Sequence, residues 1–344
     1  MAIYVTHGAK KNVGDYLIHA RGRALLAHLL PDAEIKSVAR WQRGELPEDA
    51  KALVMCGGPG VSTRMVEDTF PIVRAAVENG LTLAGIGLGW SGLPARAPQE
   101  FSMSAGSLEV LRGINANGAP LTVRDDVTHG ILTRMGIETV RSGCTAWYSV
   151  PHLGTPVPAF GAPKTVVFTT PARPQNTLEA IKLMGLLKKR YAGARLVASF
   201  HRGVLPDRQT DPARSAALVA QAVAARALGF EVLDAAYDLS KIDFYGEADL
   251  HVGYRVHAHL AFVSQHRPSV LLTEDGRGYG QSVTLNGEDS AIWNGEEGIV
   301  DRVDDLLSSE ERTNWPSLHQ AVDVIESSLP LMKEAVSSIG ARAR

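Results

Sequence analysis

Residues 251–260 read HVGYRVHAHL, so three histidines and an arginine stand in a stretch that is otherwise mostly small or apolar. Gly253 is placed to turn the chain where a strand ends, and Arg255 would then stand at the first turn of a helix. The free N–H groups and the dipole of a helix N-terminus attract anions, whereas an arginine there opposes the dipole. Helix stability therefore does not explain Arg255, but a bound phosphate would. Beside such an anion His257 could act as an acid. Two further histidines fit the usual core or surface role better, His259 and His266.

A second polar segment, NVGDYLI at residues 12–18, follows an early apolar run. Gly14 permits a tight turn from strand to helix. Asp15 is a typical helix N-cap residue, and it could equally face a ligand as a general base toward a sugar hydroxyl. Asn12 would hold this loop or contact the ligand. Both interpretations of Asp15 remain open at this stage.

Two glycine-rich loops follow apolar runs, CGGPGVS at 56–62 and GIGLGW at 85–90. Gly57 and Gly58 would let a ligand approach the backbone, although any tight turn between strand and helix also uses glycine. The first loop lacks the GK[ST] ending of a phosphate-binding P-loop, and the second is not GxGxxG. The pattern therefore favours neither a nucleoside triphosphate site nor a dinucleotide site.

The segment VRDD places Arg124 at the predicted end of a strand, before a short helix. The Arg124 guanidinium offers a two-pronged fork for a carboxylate or a phosphate, whereas Asp125 or Asp126 fits a cap or a salt bridge. Further on, GCTAWYSVPH contains Trp147 and Tyr148, which could stack on a sugar ring. A role in packing is at least as compatible with these two aromatic side chains.

The composition is that of an ordinary globular protein, with 344 residues, 45% hydrophobic and 21% charged. A net charge of -2 provides no overall attraction to nucleic acid or to an anionic membrane. Cys56 and Cys144 form no CxxC pattern, which argues against a structural zinc site and for a reducing compartment. We see neither a signal peptide nor an apolar run of about 20 residues, so the expected location is the cytoplasm.

Short apolar runs alternate with amphipathic stretches along the whole chain. This rhythm predicts an α/β protein of two doubly wound, Rossmann-like domains that face a cleft, as in the GT-B architecture. A proline-rich stretch at 151–164 predicts a linker. We therefore expect an N-terminal domain over 1–155 on the acceptor side and a C-terminal domain over 165–312 on the donor side. A helix over 313–344 could pack back on the first domain.

Four segments occur in order, NVGD, GGPG, VRDD and GYRVHAHLAFVSQHRPSVLLTEDGRG. Together they resemble the polysaccharide pyruvyl transferase family over about residues 12–280, and the last segment is the most specific. The resemblance implies a GT-B-like fold, phosphoenolpyruvate as the donor and co-substrate, and a carbohydrate acceptor. The arginine and histidine of the family's late motif fall on Arg255 and His257, and the arginine of its R-D pair falls on Arg124. Val256 replaces the usual leucine, and Arg277 could substitute for a lysine frequent after the next strand.

The implied chemistry suits these residues. Phosphoenolpyruvate carries a phosphate and a carboxylate, for which Arg255 and Arg124 supply two forks. His257 would protonate the methylene carbon and Asp15 would accept a hydroxyl proton, with no metal ion or other cofactor required. The enzyme could associate peripherally with a membrane-bound glycan assembly.

Two alternatives remain open. The first is a nucleotide-sugar glycosyltransferase, in which Glu274 or Asp275 would bind the donor ribose. The second is a non-catalytic module that binds a glycan or a phosphate.

Overall fold

Alternating apolar side chains bury both faces of the first sheet, because Ile3 and Val5 pack into one core and Tyr4 into another. The computed structural model describes residues 1–93 and 98–344. The N-terminal lobe contains a parallel sheet in the order β2-β1-β3-β4-β5-β6. Its strands are β1 (Ala2–His7), β2 (Glu34–Ala39), β3 (Ala50–Cys56), β4 (Thr82–Leu88), β5 (Leu121–Val123) and β6 (Val140–Arg141). Its helices are α1 (Val13–Leu29), α2 (Val73–Glu78), α3 (Ala105–Ala116) and α4 (Asp126–Arg134).

The C-terminal lobe repeats the plan with a second parallel sheet in the order β12-β11-β10-β7-β8-β9. Its strands are β7 (Thr165–Thr169), β8 (Arg195–Phe200), β9 (Glu231–Asp234), β10 (Leu250–Gly253), β11 (Ser269–Thr273) and β12 (Ile292–Trp293). The helices that follow are α5 (Thr177–Arg190), α6 (Pro212–Ala227), α7 (Val256–Val263), α8 (Gly276–Asn286), α9 (Ile299–Arg312) and α10 (Pro316–Arg342). The predicted fold class, two doubly wound α/β lobes, is confirmed.

The strand orders show where ligands are expected to bind. In each sheet the order reverses at one point, beside β1 in the first lobe and between β7 and β10 in the second. Doubly wound sheets bind ligands at the carboxyl ends of the strands that flank such a point. Helix α1 follows β1, and helix α7 follows β10. The N-termini of these two helices therefore mark the expected site.

The terminal helix α10 links the lobes, because it begins in the C-terminal lobe and ends against the N-terminal one. Thr82 Oγ1 donates to the Arg342 carbonyl at 3.2 Å, and Arg342 Nη1 donates to the Asn117 carbonyl at 2.8 Å. Midway, Arg141 Nη1 donates to Ser328 Oγ at 2.8 Å. Within the described ranges, no helix has both the length and the apolar character that crossing a membrane requires.

Several elements differ from the sequence-based expectation. Helix α1 begins at Val13, so Asp15 lies in its first turn and the N-cap position belongs to Asn12. The segment 65–79, whose pattern predicts one continuous helix, is divided into a π-helical turn over Met65–Thr69 and α2, which starts only after Pro71. The two-residue strands β6 and β12 were not predicted, since such short segments show no periodicity.

We expect Gly253→Ala to destabilise the protein by about 2–4 kcal/mol. Gly253 has a φ of 148°, and a Cβ there would lie 2.4 Å from the Thr169 carbonyl oxygen in β7. Gly185→Ala in α5 is the matched control, because a Cβ at Gly185 meets nothing within 4 Å. Urea unfolding of both variants checks this, and an unchanged free energy of unfolding for Gly253→Ala would contradict it.

Candidate active site between the lobes

The N-termini of α1 and α7 meet between the lobes. The Val13 N–H donates to the His201 carbonyl, 3.1 Å away in the other lobe. A Cβ on Gly14 would lie 2.3 Å from Nδ1 of His257, so only glycine allows this approach. One pocket opens on the C-terminal side of this contact and another on the N-terminal side; we call them the C-lobe pocket and the N-lobe pocket. The C-lobe pocket is lined by His201, Arg255, His257, Glu274, Arg277 and Asn12, among others.

Arg255 stands at the N-cap position of α7 and is only 8% exposed. Its backbone N–H donates to Thr169 Oγ1 and its Nη2 donates to the Pro171 carbonyl, both at 3.1 Å. Its Nε is buried and has no hydrogen-bond partner within the described part of the chain. Burial lowers the pKa of Arg255 to about 10, with Glu274 opposing the shift and Arg202 adding to it. A charged guanidinium with a free buried N–H is suited to an oxyanion ligand.

Further arginines surround this pocket. Arg202, directly after β8, also has a buried Nε without a partner among the residues described. Its pKa is lowered by burial and by Arg214. Arg277, in contrast, forms a salt bridge of 2.6 Å with Asp275. The sequence analysis missed Arg202, although its position just beyond a strand's carboxyl end was the available signal.

His257 is 4% exposed and lines the C-lobe pocket, and its ring nitrogens make no hydrogen bond to the residues that the structure describes. Burial, together with the charges of Arg277 and Arg124, lowers its pKa to about 3. The imidazole is therefore neutral at pH 7 in this structure. A ligand anion bound to these arginines would raise the pKa again, since it cancels their charge.

The two neighbouring histidines, His251 and His259, are already hydrogen-bonded to hydroxyl groups of the protein. His251 Nε2 lies 2.7 Å from Thr169 Oγ1, and its Nδ1 lies 2.7 Å from Ser269 Oγ. His259 Nδ1 lies 2.8 Å from the same serine hydroxyl. Burial lowers the pKa of His259 to about 4. These contacts tie β10 and α7 to β11, so His251 and His259 have structural roles.

Asp15 lies in the first turn of α1, half-buried, where it lines the N-lobe pocket. Burial raises its pKa, while Arg277, Arg40 and a hydrogen bond from Asn12 oppose the shift. Asn12 thus contacts this carboxylate and also lines the C-lobe pocket. A carboxylate with a raised pKa is a better proton acceptor than an ordinary one, so Asp15 suits a general base.

Arg124 is placed differently from the expectation that it grips the donor. It is 1% exposed, its Nε donates to Asp125 at 2.8 Å, and its Nη2 donates to the Trp90 carbonyl at 2.5 Å. Asp125 also caps α4 by accepting from the Thr128 N–H at 2.7 Å. The fork of Arg124 is therefore engaged by protein, and its effect on the site is the Coulombic one on His257.

The predicted loop residues have packing roles. Gly57 and Gly58 have φ values of 56° and 71° and line the N-lobe pocket, but the Gly57 N–H already donates to the Ile86 carbonyl at 2.8 Å. Trp147 is 1% exposed, and its Nε1 donates to Gln281 Oε1 at 2.6 Å. Tyr148 is equally buried. These buried rings cannot stack on a sugar, so the structure favours the packing alternative for both. Gly253 likewise serves the close contact with β7 described above.

The two acidic residues proposed for a ribose are also engaged. Glu274 accepts from the Ala172 N–H at 2.8 Å, the Arg173 N–H at 3.2 Å and Asn176 Nδ2 at 2.9 Å. Asp275 caps α8 and pairs with Arg277. Neither carboxylate is free for a ligand hydroxyl in this arrangement. A larger groove lies elsewhere, beside α2 and α3, and contains none of these residues.

Two facing Rossmann-like lobes, with arginines and a histidine converging where their sheets reverse order, define a GT-B-like enzyme. The family model described as polysaccharide pyruvyl transferase matches residues 12–276, so the chain belongs to this family. The resemblance is thereby confirmed, and the protein is a transferase that modifies polysaccharide. The family implies a carbohydrate acceptor.

A search of curated proteins finds no matching sequence. Among solved structures, the S. aureus MnaA–UDP co-structure has a TM-score of 0.57 at 11% identity, with 96% of this chain and 94% of that chain covered. The UDP-GlcNAc 2-epimerase from Neisseria meningitidis bound to UDP-GlcNAc has a TM-score of 0.56 at 11% identity, covering 97% and 99%. The epimerase from Methanocaldococcus jannaschii has 0.55 at 9%, covering 97% and 99%. At such low identity these likenesses show the fold alone.

We expect the free energy of unfolding to fall as the pH drops from 6.5 toward 4. Four buried histidines have a pKa lowered by burial in the folded protein: His201, His251, His257 and His259. The unfolded chain binds protons on them below about pH 6.5, and the folded protein does not, so acid favours unfolding. At pH 5.5 the loss is roughly 1 kcal/mol per histidine. Urea unfolding at pH 7.5 and 5.5 measures it, and His259→Asn should show a smaller loss. Equal stability at both pH values would rule out this account.

Proposed function

We propose that this enzyme transfers the enolpyruvyl group of phosphoenolpyruvate to two hydroxyls of a carbohydrate acceptor, forming a pyruvate ketal. The observation that carries the proposal is the buried Nε–H group of Arg255, which has no partner among the described residues and lines the same pocket as the His257 imidazole. Arg202 has a second such Nε–H group, and its charge acts on that of Arg255. Phosphoenolpyruvate presents a phosphate and a carboxylate, each of which asks for a cationic donor. Arg202 thus takes the place first expected for Arg124.

His257 is the proposed acid. Its pKa of about 3 would keep it neutral at pH 7. Donor binding brings negative charge onto Arg255 and Arg277, whose positive charges help to lower that pKa. The bound anion therefore promotes protonation of the imidazole beside it. Protonation is thus coupled to the presence of the substrate, which limits unproductive chemistry.

Proton and bond changes balance as follows. His257 protonates the methylene carbon, which becomes the methyl group, and positive charge develops at C2. One acceptor hydroxyl attacks C2 and gives its proton to Asp15. The C2–O bond to phosphate breaks, and the second hydroxyl closes the ketal. The two hydroxyl protons account for the new methyl hydrogen and for the proton on the released phosphate. Arginines neutralise the phosphate, so the proposal needs no metal ion.

The nucleotide-sugar alternative is less well supported. Neighbours in fold bind UDP or UDP-GlcNAc according to their descriptions. In this chain, however, Glu274 is engaged by three protein donors and Asp275 by Arg277. Hydroxyl groups of a ribose would have to displace those contacts. A small, strongly anionic donor matches the free arginine N–H groups better.

We expect purified protein with phosphoenolpyruvate and a panel of nitrophenyl and lipid-linked sugars to release phosphate and add a pyruvate mass to one acceptor. His257→Ala should lower this rate by about 10²–10⁴-fold, the usual contribution of a positioned acid. His28→Ala is the matched control, since His28 is exposed in the last turn of α1, at the opposite end of that helix from Asp15. Turnover of UDP-sugars in place of phosphoenolpyruvate would refute the proposal, and wild-type turnover by His257→Ala would refute the acid assignment.

We expect Arg255→Lys and Arg202→Lys each to weaken phosphoenolpyruvate binding by about tenfold or more, because lysine cannot offer the guanidinium fork. Titration calorimetry with phosphoenolpyruvate alone measures this affinity. Arg195→Lys is the control, since Arg195 is exposed at the start of β8 and pairs there with Glu231. An unchanged dissociation constant for either site variant would remove that arginine from the donor site.

A further inference from the structure

The N-lobe pocket adjoins the site on its acceptor side. It is lined by His7, Asp15, His19, Arg40, Gly57 and Gly58, among others. Asp15 interacts electrostatically with Arg277 of the C-terminal lobe and with Arg40 of the N-terminal lobe. The proposed base therefore lies between the donor arginines and this second pocket. A sugar whose hydroxyl reaches Asp15 would extend toward Arg40.

Arg40, directly after β2, is half-buried and forms no ion pair within the described ranges. Its guanidinium covers Gly8, where a Cβ would lie 2.9 Å from Cζ, and it stands 5.8 Å from the Phe70 ring centroid. Burial lowers its pKa, with Asp15 opposing the shift. Arg190, in contrast, forms two ion pairs, because it lies 2.6 Å from carboxylate oxygens of both Asp304 and Glu311. Within the described residues, Arg40 therefore feels the charge of Asp15 but forms no direct ion pair.

Two imidazoles stand beside Arg40. The rings of His7 and His19 are 4.9 Å apart, and both Nδ1 atoms are buried without a partner among described residues. Burial lowers the pKa of His19 to about 4 and lowers that of His7, so both rings are neutral at pH 7. Trp41 meets His7 edge-on at 5.7 Å. Neutral imidazoles can donate an N–H or accept a hydroxyl, as sugar recognition requires.

We propose that an acceptor sugar that carries an oxyanion binds over the open side of the N-lobe pocket, whose own space holds little more than one water molecule, with Arg40 holding the anionic group and His7 and His19 contacting the sugar hydroxyls. This rests on the proposed function, because it places the anion where the Asp15 carboxylate can reach a hydroxyl of the same sugar. The oxyanion is a phosphate ester or a uronate carboxylate. Both present the planar or tetrahedral oxygens that a guanidinium binds.

The test compares binding of three probes by titration calorimetry: a hexose 1-phosphate, the corresponding hexuronic acid and the uncharged methyl hexoside. A panel covering glucose, galactose and mannose forms is used with wild type, Arg40→Met, Arg74→Met and Arg255→Met. We expect Arg40→Met to weaken binding of a charged probe by about tenfold or more and to leave the methyl hexoside unchanged. Whichever charged probe responds identifies the source of the oxyanion.

The other variants separate the two sites. Arg74→Met removes an exposed arginine of the same lobe and should have no effect. Arg255→Met should weaken phosphoenolpyruvate binding but not binding of the charged sugar. Loss of charged-sugar binding in Arg255→Met with none in Arg40→Met would overturn the inference, as would an absence of any preference for charged sugars in wild type. Because binding is measured without turnover, failure of the phosphoenolpyruvate reaction would be seen separately.

Discussion

The contact between the α1 and α7 N-termini sets the geometry of everything around it. Gly14 lies so close to the His257 ring that any side chain would displace the imidazole, and the Val13 N–H bonds the His201 carbonyl across the lobes. Lys11, one turn earlier, is 3% exposed and pairs with Asp207 at 2.8 Å. These contacts join the loop after β1 to the C-terminal lobe, and the proposed acid and base line the two pockets on either side of them. In the proposed reaction, contacts of this kind would help to keep water from the activated carbon.

Around this contact, Arg255 and Arg202 place positive charge in a region that is largely shielded from water. Buried charge is unfavourable unless it is paired, and the nearest carboxylates are occupied, Glu274 by three N–H donors and Asp275 by Arg277. The free N–H groups of Arg255 and Arg202 are therefore a cost that a multivalent anion would offset. Burial and the charges of Arg277 and Arg255 keep His257 neutral, so in the proposed reaction anion binding and proton uptake are coupled.

The alternation of apolar runs was sufficient to predict two doubly wound lobes, and the rule that ligands bind at strand ends was sufficient to place Arg255 and His257 between them. The sequence could not show which polar side chains already form hydrogen bonds or ion pairs within the protein. Arg124 looked like a free fork, but its partners are the next residue and a carbonyl 34 positions away. Arg202 and Arg40 belong to no motif, and only the fold brings them to the site. Trp147 could be assigned to the core only once its bond to Gln281 was known.

Among the three histidines of residues 251–260, hydrogen bonding distinguishes the two with a structural role from the one proposed to act on a ligand. His251 and His259 are as buried as His257, and burial lowers the pKa of all three. Two of them share the Ser269 hydroxyl and lock β10 and α7 onto β11. These hydrogen bonds fix the start of α7, where the His257 ring faces Gly14 and forms no hydrogen bond within the described residues. The pair thus positions the imidazole of His257, the acid of the proposed reaction, before a ligand binds.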